Sequence, residues 1–115
     1  MKRYEDKKLE EKLEEGRPIF DQHDLRLFLR KNKGMKCRAF MESGNNISIV
    51  VGKLMPENNS TKFMVKDNKF NILEYNEGIP QNIDISDRRA DFISNKVVYV
   101  LEIQGKGRKN PPQSY

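Results

Sequence analysis

From Ile47 to Tyr75 the chain reads ISIVVGKLMPENNSTKFMVKDNKFNILEY, its densest apolar stretch. Apolar residues recur there at a period near two, and turn residues interrupt the run at Pro56–Asn59 and Asp67–Lys69. That period belongs to β-strands with one buried face, so this part of the chain reads as a meander. Ile47, Ile49 and Val51 share one face of the longest segment. The alternation slips by one at Gly52 and resumes at Leu54. A glycine at a phase slip marks a bulge or a sharp bend, so the second strand is expected to turn a corner at Gly52.

Five strands are expected: residues 35–42, Ile47 to about Met55, Ser60–Lys66, Phe70–Tyr75 and Val97–Ile103. In the first, Met35, Cys37, Ala39 and Met41 alternate with Lys36, Arg38 and Glu42, and Phe40 interrupts the polar row. The fifth, VVYVLEI, is apolar at almost every position, which suits burial on both faces or pairing with a second chain. Residues 76–95 form a long polar connection, with a short helix expected over 86–93 anchored by Phe92 and Ile93. Two helices precede the strands. Residues 1–16 are rich in helix formers and carry a narrow Leu9/Leu13 stripe. A second helix starts at the N-cap Asp21, gathers Leu25, Phe28 and Leu29 on one face, and ends before Gly34. The expected class is α+β: N-terminal helices, then a small five-stranded antiparallel, strongly bent, barrel-like sheet of SH3/Sm-like architecture. The expected organisation is a polar helix (1–16), a barrel domain with its leading helix (17–104), and a disordered basic tail (105–115).

Composition narrows the function classes. Of the 115 residues 36% are hydrophobic and 34% charged, with a mean hydropathy of −0.86. No apolar run approaches the length of about 18 that a membrane span needs. The N-terminus lacks the apolar core of a secretory signal, and a lone Cys37 cannot form an internal disulfide, so a reducing, cytoplasmic setting is expected. Catalysis needs a constellation, and the chain offers one histidine, His23, and one cysteine. His23 lies in a helix first turn and Cys37 on an apolar strand face, which reads as a surface histidine and a core thiol. Asp84, Asp87 and Asp91 read as helix-capping acids rather than a magnesium site. GKGRK at 105–109 lacks the context of a phosphate loop. No enzyme, metal or cofactor is expected.

The net charge of +5 is concentrated. Residues 17–40 hold seven basic and two acidic groups, and residues 105–115 add three more bases. The expected contact set is Arg26, Arg30, Lys31, Lys33, Lys36 and Arg38, then Phe40, with Lys106, Arg108 and Lys109 from the tail. Cations ending in an exposed aromatic suit single-stranded RNA or DNA, with phosphates on the bases and a nucleobase on the ring. The alternative is a protein–protein interaction module, a regulator, adaptor or inhibitor of a larger complex. It is motivated by the Leu9/Leu13 stripe and by a possible homo-oligomer through Val97–Ile103.

Over residues 21–103 the order of a helix and five strands, the glycine of GKL at Gly52–Leu54, and KFMVKDN at the end of the third strand resemble the Sm and Hfq-like RNA-binding barrels. SH3-like and OB-like barrels fit the same pattern. The resemblance implies a small barrel and assigns no individual binding residue.

Overall fold

The computed structural model describes residues 9–13 and 19–105. Residues 9–13 are helical, and a helix, α1, spans Gln22–Lys31. Seven strands follow: β1 (Lys36–Ser43), β2 (Asn46–Pro56), β3 (Phe63–Lys66), β4 (Ile72–Tyr75), β5 (Gln81–Ile85), β6 (Arg89–Ser94) and β7 (Val97–Ile103). They form one antiparallel sheet in the order β4-β3-β2-β1-β7-β6-β5. The described residues are thus mostly β with short helices. The five-stranded SH3/Sm-like barrel is corrected to a seven-stranded sheet that does not close.

The sheet is nonetheless rolled. β4 and β5 are its two edges, yet residues 76–80 alone join them. Flat, those edges would lie about 29 Å apart, at ~4.8 Å per strand. Six Cα steps from Tyr75 to Gln81 reach at most about 22 Å. The aromatic core shows the curl directly: the Tyr75 ring on β4 lies 4.9 Å from both Phe92 on β6 and Tyr99 on β7. Phe63 on β3 completes the cluster, edge-on to Phe92 at 6.3 Å. These rings, with Cys37, Ala39, Leu54, Val65, Leu73 and Leu101, form the core.

β2 makes the corner. Asn46–Lys53 pairs with β1 and Lys53–Pro56 pairs with β3, so one strand serves two neighbours in succession. Gly52 stands at the crossing. A Cβ there would lie 2.1 Å from the Lys66 carbonyl oxygen and 2.8 Å from the Asp67 nitrogen. Only glycine lets the two backbones approach so closely. The expected bend is therefore present, but the expected phase slip is not. The register with β1 runs without a break, and Val50, Gly52 and Leu54 form the inward row. Ile47, Ile49 and Val51 do share a face, and it is the outer one: they are 58%, 48% and 41% exposed.

The segment expected as a helix over 86–93 is the β5–β6 hairpin. Ala90, Phe92 and Ser94 point inward with period two. The following turn has φ of 52° at Asn95 and 66° at Lys96, the paired positive values of a type I′ hairpin.

α1 begins with a full capping box. Asp24 N–H donates to the Asp21 carboxylate (3.0 Å), and Asp21 N–H donates to that of Asp24 (2.9 Å). Leu25, Phe28 and Leu29 enter the core. Leu9 is buried, Leu13 packs on the core, and Lys12 Nζ reaches Asp24 Oδ2 at 2.7 Å, so the described part of the first helix docks. The remainder of the expected 1–16 helix and the expected disordered tail beyond residue 105 lie outside the described residues.

Candidate functional site

The expected basic strip does not form one surface. Lys31 Nζ faces Asp87 on the β5–β6 turn at 3.7 Å. Arg38 Nη1 pairs with Glu102 Oε1 at 3.3 Å on the outer face of the sheet, and Arg89 Nη1 approaches the same carboxylate at 3.5 Å. Phe40 shares that face, half-buried opposite Ile49 on β2 and Val100 on β7, so it belongs to an apolar stripe. Arg26, Arg30 and Lys33 line a groove between α1 and the turn at Pro56–Ser60. In that groove Arg26 Nη2 lies 2.9 Å from His23 Nδ1, which requires that ring nitrogen as the acceptor. Lys106, Arg108 and Lys109 lie outside the described residues. The reason for the scatter is geometric. A helix turns its side chains through 100° per residue and a strand alternates them, so proximity in sequence between Arg26 and Arg38 gives no common direction.

Lys36 shares the outer face of β1 with Arg38 and Phe40, as expected, and it also joins a second set. Cross-strand register places Lys36 opposite Lys53, and Lys53 opposite Lys66. Their neighbours Cys37, Leu54 and Val65 point inward, so all three lysines point outward in one row across β1, β2 and β3. Lys69, on the turn after β3, lines the same groove, together with Gly34, Val51, Asn68 and Asn71. None of these four lysines forms an ion pair with a described residue. The acid within the groove, Asp67, is engaged elsewhere. Its carboxylate accepts from Lys69 N–H (2.9 Å), Asn71 N–H (2.8 Å) and the Asn71 side-chain amide (2.9 Å). The Asn71 side-chain bond is the largest influence holding its pKa below the usual carboxylate value. Asp67 thus shapes the turn rather than neutralising the row.

That turn presents an aromatic ring. Phe70 has φ +66° and is 75% exposed, with Lys66 Nζ 5.1 Å from its ring centroid. A bulky residue in the left-handed region is strained, and a large apolar side chain in water gains nothing from folding. Lys33 lines the α1 groove while its neighbour Gly34 lines the lysine groove, so the two grooves meet at the turn between α1 and β1. Lys53, Lys66, Lys69 and Phe70 fall outside the contact set expected from the sequence. The usable signal was the bend itself: a glycine corner in β2 brings the start of β1, the corner of β2 and the end of β3 together, and each of those places carries a lysine.

The other candidate groups separate. Cys37 is fully buried, and desolvation pushes its thiol pKa up to about 12. Asp84 and Asp91 face each other across β5 and β6, while Asp87 points to Lys31. Among the described residues no three His, Cys, Asp or Glu side chains converge as metal ligands. Burial, then the Asp84 charge, raises the Asp91 pKa. Among the described residues no helix is long and apolar enough to cross a membrane. No protein-family model, curated protein or solved structure matches this chain.

Proposed function

We propose that this chain is a non-enzymatic nucleic-acid-binding domain that holds single-stranded RNA or DNA in the lysine groove. The single observation behind this reading is the row of Lys36, Lys53 and Lys66, which no described acid pairs with. Like charges placed directly opposite across strands oppose folding, and an anion repeating at the spacing of a phosphate backbone offsets that repulsion. Phe70 supplies a face on which a base can stack, and stacked bases on exposed rings are how single strands are held without reading sequence. The α1 groove with Arg26, Arg30 and Lys33 extends the path. Arg38 and Phe40 take no part.

The test is fluorescence anisotropy of a labelled oligothymidylate or oligouridylate against salt. Affinity falls steeply with salt, and Lys53→Gln flattens the log–log slope by about 0.7, one phosphate contact on a single strand. Phe70→Ala weakens binding by about 1–3 kcal/mol without changing the slope. Binding that ignores salt, or that Lys53→Gln leaves intact while Arg38→Gln abolishes it, rejects the reading. The alternative, an interaction module, draws on the exposed outer row of β2 and leads to a separate inference.

A further inference from the structure

The half of β2 that pairs with β1 has an open second edge. β3 takes only Lys53–Pro56, so among the described residues Asn46–Val51 has a strand neighbour on the β1 side alone. Hydrogen-bonding direction alternates along a strand. Leu54 N–H donates to Met35 O (3.0 Å) and Leu54 O accepts from Gly34 N–H (2.8 Å), both on the β1 side. By alternation, Ile47, Ile49 and Val51 aim their N–H and C=O groups at the open edge. The same three residues carry the exposed outer side chains of β2.

Proteins ordinarily blunt such an edge with lysine, proline or a bulge. Residues 43–52, SGNNISIVVG, contain no charge and no proline, and their register with β1 has no irregularity. β7, the strand expected to meet a second copy, has both edges taken by β1 and β6, leaving only its outer side chains for one.

We propose that two copies of this chain join edge to edge along β2, antiparallel about a two-fold axis at Ile49. The segment is self-complementary in that arrangement. Ile49 faces Ile49 of the second copy, and Ile47 faces its Val51. Three hydrogen-bonded pairs exchange two bonds each, giving about six. No charge lies within the paired segment: Lys53, the first cation beyond it, already faces Lys66 on β3. β3 fixes the limit of the pairing, because Lys66 and Asp67 occupy the edge at Gly52. The result is one continuous sheet through both protomers, with the Ile47/Ile49/Val51 rows adjoining on its outer face. An identical copy meets this register with neither charge nor proline at any paired position.

The experiment uses the full chain, freed of nucleic acid by nuclease and high salt, and measures mass by sedimentation equilibrium across the micromolar range. The wild type is a dimer. Ile49→Lys and Ile49→Glu each put like charges on the axis and weaken it on the order of a hundredfold, with unchanged far-UV circular dichroism because the side chain points to solvent. An equimolar mixture of the two variants dimerises again, since opposite charges then meet on the axis. A monomeric wild type, a dimer that survives Ile49→Lys, or a mixture no more associated than its components overturns the proposal. None of these readouts depends on nucleic-acid binding.

Discussion

Gly52→Ala tests the geometry on which the lysine groove depends. In an ordinary strand, alanine is better than glycine by roughly 0.5–1 kcal/mol, because glycine loses more backbone entropy on folding. At position 52 the sign reverses. The new methyl would sit 2.1 Å from the Lys66 oxygen and 2.4 Å from its carbonyl carbon, against 3.4 Å for ordinary contact. Both atoms are backbone, so no side chain can swing away. β3 must withdraw from β2 by about 1.3 Å, the difference between those two distances. That shift takes a hydrogen bond of ~2.9 Å past the limit of useful geometry. Overpacking costs about 1–3 kcal/mol, and losing one or two ladder bonds adds about 1 kcal/mol each. The expected loss is therefore about 3–4 kcal/mol, a large part of the 5–15 kcal/mol typical of a domain. Urea unfolding followed by far-UV circular dichroism measures it. The slope against urea stays the same while the midpoint falls, and Tm drops by more than about 12 °C. A variant within about 0.5 kcal/mol of wild type, or one more stable, refutes the crossing of β2 and β3 at Gly52.

Other outcomes follow from single contacts. Tyr75 Oη donates to Gly78 O at 2.9 Å and lies 3.4 Å from Ser94 Oγ; Tyr75→Phe costs about 1 kcal/mol in the same urea assay. Cys37 is buried with its pKa near 12, so a thiol reagent at mildly alkaline pH labels it only as fast as the chain opens, and labelling at the rate of a free thiol contradicts its core placement. Asp91 has a pKa raised above 3.8: its folded state prefers the protonated form, so this group's contribution is greatest below pH 3.8 and is lost as pH rises through the raised value. Asp91→Asn therefore makes the protein more stable at neutral pH and flattens that part of the pH profile. Asp67, shifted the other way, contributes above pH 3.8 and loses its contribution as pH falls through its lowered value; Asp67→Asn removes that acid-side dependence.

Where local pattern and packing agreed, the fold could be read in advance. Asp21 caps α1, Leu25, Phe28 and Leu29 face the core, and Cys37 and Ala39 are buried with Lys36 and Arg38 outside. Gly52 marked the corner because only a close backbone approach explains glycine inside an apolar strand. The hairpin at 81–94 was hidden for a physical reason. DRRADFIS has acids spaced like a helix face, and the I′ turn after it carries Lys96 where glycine usually signals the turn. Ile47, Ile49 and Val51 share a face, as their alternation indicates, but alternation alone does not say which face is buried, and here the smaller Val50–Gly52–Leu54 row is inside. The lysine row could not be found along the chain at all, because positions 36, 53 and 66 become neighbours only through pairing register.

The central claim is that the row Lys36–Lys53–Lys66, with Lys69 and Phe70, is the surface that meets a nucleic-acid strand. Heteronuclear NMR titration of the labelled protein with oligothymidylate tests it residue by residue. The account predicts progressive shifts concentrated at Gly34, Lys36, Lys53, Lys66 and Lys69–Asn71, extending to Arg30 and Lys33, with the Phe70 ring protons moving upfield under a stacked base. Shifts confined to Arg38, Phe40 and the outer face of β7, or a spectrum unchanged at low salt, would contradict it.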